Sequence, residues 1–307
     1  MSQTIEHYIG IEIGGTKLQL VAGNGEGKIL DRRRFTVERT LGASGIQRQI
    51  ELALSELSCN SKPLAVGVGF GGPVDWKTGK ICRSHHIEGW SGFELCEWLE
   101  RITQAPVRVD NDANVAALGE ARSGAGVGFN PVFYVTLGSG VGGGLTVDGK
   151  IYHGALPGES EIGHVRLDRG GTTVESRCAG WAVDAKVRAV AKSERGSLLA
   201  KLCGDTATGE AKSLGPALQQ GDATAARLLR ETAEDLAFGL SHIVHLFHPE
   251  IIIIGGGLSN LGEPLRSGVD VALKGFIMEA FLPGPKIVLS KLGEDAVPMG
   301  TLCLAQT

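Results

Sequence analysis

One pattern occurs twice in this chain, and a repeat of that size constrains the fold more than any single motif does. The stretch YIGIEIGGTKLQLVAGNGEGKIL, Tyr8 to Leu30, reads as strand, glycine turn, strand, polar glycine turn, strand. VFYVTLGSGVGGGLTVDGKIY, Val132 to Tyr152, reads in the same order. Each copy predicts a meander of three strands. The segments after the two copies also correspond. Apolar residues at helical spacing (Ile46, Ile50, Leu54, Leu57) precede the strand pattern LAVGVGF, which ends in Gly71-Gly72. A helix predicted over Ala223 to Phe247 precedes EIIIIGGG, again a strand ending in glycines. A helix over Phe93 to Thr103 precedes PVRVDND, a helix near Leu265 to Phe281 precedes KIVLSKL, and each of these strands leads into a helical segment. Two copies of β-β-β-α-β-α-β-α predict an α/β protein with two mixed-sheet lobes around a central cleft. The expected small lobe is 1–118 with 296–307, and the large lobe is 119–295. A chain of 307 residues, 42% hydrophobic, is long enough for two cores at roughly 150 residues per domain.

Charge and cysteine content exclude several functions. A net charge of -4 with a pI near 6.1 gives no electrostatic reason to bind nucleic acid, so Arg32-Arg33-Arg34 reads as a solvated strand end. The six cysteines are scattered and form no C-x-x-C, as expected of free thiols in a reducing compartment. The N-terminal MSQTIEHY lacks a basic and apolar signal segment, and no apolar run approaches the ~18 residues of a membrane span. A cytoplasmic protein with neither a nucleic-acid nor a membrane partner is expected.

The glycine turns carry the first chemistry. In a duplicated fold of this kind the two meander tips face each other across the cleft. A polyphosphate between Gly14-Gly15-Thr16 and Thr136-Leu137-Gly138-Ser139-Gly140 would then receive backbone N–H groups and hydroxyls from both sides. Both GVGFGG (Gly67 to Gly72) and GSGVGG (Gly138 to Gly143) also satisfy the dinucleotide fingerprint G-x-G-x-x-G. The first runs into Pro73-Val74-Asp75 and the second into the strand pattern LTV, so neither opens the helix that a pyrophosphate requires. Tight turns without any ligand are the alternative reading for any single run, and a weaker one for all the runs together. In VRVDNDANVAALGE a strand ends at Asn111-Asp112 and a helix begins directly after it. A carboxylate at a strand end, facing a nucleotide cleft, suits a general base for an attacking hydroxyl, which makes Asp112 the candidate and Asn111 the group that orients the acceptor. The alternative for Asp112 is a helix N-cap.

Seven motifs run in family order over nearly the whole chain: GGTK at 14–17, GGPVD at 71–75, GW at 89–90, NDANVAALGE at 111–120, TLGSGVGGG at 136–144, GESEIGH at 158–164 and IIIIGGGLS at 251–259. In these the sequence resembles the ROK family, sugar kinases and sugar-responsive repressors of the actin and hexokinase superfamily. The resemblance implies an actin-like, ribonuclease H-like fold and an ATP-dependent sugar kinase using Mg²⁺, with a homodimer as its assembly. It implies ATP contacts at Gly14, Gly15, Thr16, Lys17, Thr136, Gly138, Ser139, Gly140, Gly255, Gly256 and Gly257. It makes Asp112 the base and Gly72, Asn111, Glu161, His164 and Glu175 sugar contacts. Glu161 and His164 also satisfy E-x-x-H, but a di-iron bundle needs two such pairs on long helices, and here there is one between glycines. His242, His245 and His248 form a ladder in SHIVHLFHP that fits the C-terminus of a helix ended by Pro249.

The chain departs from the family twice. Many members carry a C-x-C-G-x-x-G-C-x-E zinc cluster after the G-H, whereas RLDRGGTTVESRCAG comes after His164 with Cys178 alone, so no structural zinc is expected. Glu12 stands where the family usually has an aspartate that holds Mg²⁺ through water. The favoured function is phosphoryl transfer from ATP to a hexose hydroxyl, most naturally the 6-hydroxyl. The alternative is a non-catalytic sugar sensor like the family's repressors. Those carry a helix-turn-helix before the core, and residues 1–7 are too few for one.

Overall fold

The computed structural model describes residues 6–57, 62–83, 87–156, 158, 160–204 and 208–307. The first five residues, Cys59 and Glu159 of the GESEIGH motif therefore lie outside it. The first meander forms as β1 (Tyr8–Ile13), β2 (Lys17–Gly23) and β3 (Ile29–Thr36), antiparallel throughout, with Ile11 opposite Leu20. Helix α1 (Gly42–Glu56) buries Ile46, Ile50 and Ala53, and β4 (Val66–Phe70) then pairs parallel to β1. A short hairpin, β5 (Val74–Asp75) and β6 (Lys80–Ile81), leads to α2 (Leu95–Thr103). Strand β7 (Val107–Asn111) pairs parallel to β4 and runs directly into α3 (Asp112–Ser123). The sheet order is β3-β2-β1-β4-β7.

The second copy repeats this. Strands β8 (Val132–Leu137), β9 (Val141–Val147) and β10 (Lys150–Ile151) form the meander. Four helices then intervene: α4 (Val174–Cys178), α5 (Gly180–Ser193), α6 (Leu198–Cys203) and α7 (Leu214–Gln219). Helix α8 (Ala223–Phe247) has the predicted limits, and β11 (Ile251–Gly255) pairs parallel to β8. Helix α9 (Glu263–Leu273), β12 (Lys286–Leu289) and α10 (Ala296–Ala305) complete the chain. The order β10-β9-β8-β11-β12 is that of the first sheet, so the fold is the duplicated α/β unit read from the repeat. Two helices are shorter than expected: α2 starts at Leu95 rather than Phe93, and the larger departure is in α9. The helix near Leu265–Phe281 stops at Leu273, because Lys274 leads into Gly275, a poor helix residue, and only a 3-10 turn at Glu279–Phe281 lies beyond it. Among the described residues no helix is long and apolar enough to cross a membrane.

Two compact units result, one of Met1–Gly128, Gly144–Ser160 and Lys291–Thr307, the other of Phe129–Gly143 and Glu161–Ser290. In the first, alternation decides which face of the sheet meets which helix. Val66, Val68 and Phe70 join Ile46, Ile50, Trp90, Leu95 and Leu99 in the core. Their neighbours Gly67 and Gly69 point the other way, and Gly67 pairs in register with Gly10 of β1. A side chain at Gly67 would overlap the Thr301 carbonyl oxygen, so these glycines admit α10 against the sheet. The run GVGFGG thus serves helix packing, and it opens no helix of its own. In the second unit Ile251, Ile252, Ile253 and Ile254 are all fully buried, as befits a central parallel strand covered on both faces.

The close approach of α10 makes a prediction. Gly67→Ala is expected to cost about 3 kcal/mol in urea unfolding. Gly196→Ala, where no atom lies within 4 Å of the added carbon, is expected to change stability little. A loss below about 1 kcal/mol at Gly67 would contradict this packing.

Candidate active site

In the first unit three parallel strands end side by side. Ile13 of β1 pairs with Phe70 of β4, and Phe70 pairs with Asn111 of β7. Ligands of α/β sheets bind beyond the carboxyl ends of such strands. Here those ends are tied together: Gly71 N–H donates to the Ile13 carbonyl at 2.8 Å, and Gly14 N–H to the Lys17 carbonyl at 2.9 Å, closing the first glycine turn.

The cap of α3 is Asn111. Its Oδ1 accepts from the N–H groups of Ala113 (2.9 Å) and Asn114 (3.3 Å), while its Nδ2 donates to the Gly72 carbonyl at 3.3 Å. Asp112 is thereby placed at the first helical position, where a carboxylate meets the positive end of the helix dipole. A side chain at Gly71 would come within 3.3 Å of Asp112 Oδ2 and 3.5 Å of Gly14 Cα, so the carboxylate and the first glycine turn border the same space beside Gly71. Gly14, Gly72, Asn111 and Asp112 are brought together.

A deeper layer, not singled out in the sequence, holds this strand end. Asp110 is 3% exposed, and its Oδ1 accepts from Asn111 N–H at 2.8 Å and from Asn114 Nδ2 at 3.0 Å. Its Oδ2 meets His153 Nε2 at 2.5 Å, and the imidazole stacks on Trp76 with ring centres 4.1 Å apart. The doubled acid of Asp110-Asn111-Asp112 is a signal, but nothing local to the sequence pairs Asp110 with a histidine so far along the chain.

Glu12 lies on β1, with one carboxylate oxygen 3.1 Å from Lys17 Nζ and the other accepting from the Gln19 amide. Each oxygen keeps lone-pair capacity beyond these bonds, so the group fits contact with a hydrated Mg²⁺ through water. Thr16 and Gly15 complete the turn, with Arg39 Nε donating to the Gly15 carbonyl at 3.0 Å.

In the second unit, Thr136 pairs with Gly255 at the ends of β8 and β11. Gly256 adopts φ +81°, and a side chain there would lie 2.6 Å from the Leu137 backbone. Only glycine lets the Gly255-Gly256-Gly257 run lie against the second glycine turn. That turn is closed by Gly138 N–H donating to the Gly140 carbonyl at 2.9 Å, and by Val141 N–H donating to Glu175 Oε2 at 2.9 Å. Glu175 is thus bonded to the turn that begins with Gly138, Ser139 and Gly140. Glu161 and His164 lie on a 3-10 turn with Glu161 Oε2 and His164 Nε2 3.9 Å apart and both side chains at least half exposed. Gly163 anchors this turn, since a side chain there would overlap the Val141 carbonyl oxygen.

A cavity of about 870 Å³ opens between Gly138-Ser139 and Gly257, with Trp181, Lys212 and Asn260 on its walls. This is the size of a small-molecule site. Asp184 orders the loop that carries Lys212, accepting from Ala211 N–H at 2.7 Å and Gly209 N–H at 3.1 Å. Trp181, 54% exposed at the rim, was not singled out by the sequence.

Hydrogen bonds close the segment where the family's zinc cluster would stand. Leu167 N–H donates to the Thr172 carbonyl at 2.8 Å, Thr173 and Ser176 form a capping box on α4, and the Cys178 thiol donates to the Thr232 carbonyl. Burial pushes the Cys178 thiol up to about 12. Among the described residues no group of three His, Cys, Asp or Glu side chains could hold a metal ion. His248 caps α8 at its C-terminus and stacks on Phe281, and His245 Nε2 accepts from Met278 N–H at 3.1 Å.

The ROK family model matches residues 8–307. A glucokinase of Thermotoga maritima is 32% identical over 302 residues, 95% of each chain. The crystal structure of a ROK family glucokinase from Streptomyces griseus, in complex with glucose and AMPPNP, superposes with a TM-score of 0.84 at 31% identity, covering 98% of this chain and 99% of that one. A ROK family transcriptional regulator shares the fold, with a TM-score of 0.86 at 19% identity over 98% of this chain and 78% of its own.

A thiol held neutral by burial reacts slowly. At pH 8 an alkylating reagent is expected to modify the exposed Cys82 and to spare Cys178 until the protein unfolds. Modification of both at one rate in the native protein would contradict the burial of Cys178. Elemental analysis is expected to find no stoichiometric zinc, and about one zinc per chain would overturn that expectation.

Proposed function

We propose, for a chain that belongs to the ROK family, that it is an ATP-dependent hexose kinase transferring the γ-phosphoryl group to the 6-hydroxyl of a glucose-like sugar. The observation that carries this reading is the position of Asp112 at the carboxyl end of β7, beside the first glycine turn. A base there accepts the proton of the attacking hydroxyl as the oxygen meets phosphorus. Asn111 orients the same hydroxyl. Its amide is fixed from both sides by the cap bonds and by Gly72, so little rotamer freedom remains to be lost on binding.

The other roles come from chemistry and position. Glu161 and His164 offer a carboxylate and an imidazole to vicinal sugar hydroxyls, with Glu175 holding the second glycine turn that their anchor Gly163 abuts. Gly14, Gly15, Thr16 and Lys17, with Thr136, Gly138, Ser139 and Gly140, offer N–H groups, hydroxyls and a cation to phosphates. Gly257, reached through Gly255 and Gly256, lines the cavity that would take the adenosine, where Trp181 supplies a stacking face and Lys212 a positive charge. Glu12 would hold Mg²⁺ through water, and Mg²⁺ bound with the nucleotide neutralises charge on the β- and γ-phosphates. The glucokinase name of the Thermotoga maritima relative and the glucose and AMPPNP in the Streptomyces griseus structure support this choice of sugar and donor.

A coupled assay with Mg-ATP and a panel of hexoses tests the reading. Asp112→Asn is expected to lower kcat by about 10² or more while sugar binding survives. Near wild-type turnover in that variant would remove the base assignment. Sugar binding with no turnover of any hexose by the wild type would favour the sensor instead. Glu12→Asp is expected to keep most activity, and Glu12→Ala to raise the Mg²⁺ concentration needed for half-maximal rate by about tenfold. An unchanged Mg²⁺ dependence in Glu12→Ala would end the metal role of Glu12.

A further inference from the structure

The first unit holds a cavity of about 780 Å³ along β7 whose chemistry the kinase reading does not use. Its floor is apolar, formed by Val107, Val109, Leu118 and Leu304. Its rim carries four exposed cations: Lys77, Arg108, Arg122 and Lys150. Backbone oxygens and an aromatic face hold three of them. Arg122 donates to the carbonyls of Gly149 (3.0 and 3.1 Å) and Cys303 (3.3 Å), Arg108 donates to the Ala305 carbonyl (3.4 Å), and Lys77 Nζ lies 5.5 Å from the centre of the Trp76 ring. Among the described residues none of the four makes an ion pair with a side-chain carboxylate. Asp110, the one acidic side chain on the wall, is already engaged by His153, Asn111 and Asn114. The Trp76 indole N–H, on the same wall, is buried with no acceptor among the described residues.

An apolar floor under four cations that pair with no side-chain carboxylate among the described residues is complementary to a flat apolar body that carries an anionic group. A neutral sugar carries no charge to set against the four cations. We propose that this cavity binds a small aromatic anion, and that the Asp110–His153 contact transmits its presence to Asn111 and Asp112. The cavity and the catalytic strand end share one carboxylate. A ligand that displaces the Trp76–His153 stack changes the partner of Asp110 Oδ2, while Asp110 Oδ1 fixes the Asn111 N–H and the Asn114 side chain. The binding part stands alone; the transmission part rests on the kinase reading.

The first arm of the test uses the full chain, without sugar or ATP, and the fluorescent aromatic sulfonate 8-anilinonaphthalene-1-sulfonate. Saturable binding with a Kd on the order of 10 µM is expected. Arg108→Glu/Lys150→Glu is expected to weaken it at least tenfold, leaving binding of the uncharged analogue N-phenyl-1-naphthylamine unchanged. Lys150→Glu alone gives a smaller loss in the same direction. Equal affinity of the sulfonate for wild type and the double variant overturns the site. In a second arm the sulfonate is expected to change kcat or the sugar KM at least threefold in wild type, and less than 1.5-fold in His153→Gln. An effect of equal size in His153→Gln, or none in wild type at saturation, overturns the transmission. A protein that proves not to be a kinase fails only the second arm.

Discussion

In-register parallel pairing of β1, β4 and β7 sets Ile13, Phe70 and Asn111 side by side, and the candidate site depends on it. Because these strands run the same way, the segments that leave them all emerge on one edge of the sheet. A glycine turn leaves β1, Gly71-Gly72 leave β4, and the capped start of α3 leaves β7. The pairing is held from both faces. Val66, Val68 and Phe70 anchor it in the core, and the alternate glycines let α10 lie against the opposite face. A slip of one residue would turn those glycines into the core and drive valines into the Thr301 backbone. The candidate site and the packing therefore depend on the same register.

The duplication was legible because it rests on local patterns: alternation for strands, helical spacing for α8, glycines at the strand ends. Helix α8 matches its predicted limits because Asp222 caps it, with its side chain accepting from Ala225 N–H, and Pro249 lies just past its end. The end of α9 was not legible, because apolar residues continue to Phe281 at helical spacing while Gly275 breaks the helix inside that run. The dinucleotide fingerprint at Gly67 to Gly72 shows the same limit, since an identical glycine spacing can serve a phosphate or an approaching helix. Only the partner decides.

Site residues divide in the same way. Gly14, Asn111 and Asp112 could be singled out because each sits at a strand end, where chemistry and local structure coincide. The Asp110–His153 contact could not, since its partners are distant in sequence and nothing local pairs them, although the doubled acid around Asn111 marks Asp110. Trp181 and Lys212 escaped for a related reason: helices α4 to α7, between the second meander and α8, have no counterpart in the first copy, so the repeat offered no guide to them. Where the family has a zinc cluster, this chain has a capping box, a short turn and a buried thiol, all made from residues that hydrogen-bond locally. The segment that joins His164 to α4 thus keeps its shape by backbone pairing, the Arg166–Thr173 bridge included.

On the proposed reading the Asp112 carboxylate meets the acceptor hydroxyl at the carboxyl edge of the first sheet. A crystal structure with glucose and a non-hydrolysable ATP analogue bound tests this most directly. The expected result is an Asp112 carboxylate oxygen within about 3.2 Å of the sugar 6-hydroxyl, with the Asn111 amide on the same sugar. A sugar whose 6-hydroxyl is held by another residue, with Asp112 more than about 5 Å away and no water between them, would contradict it.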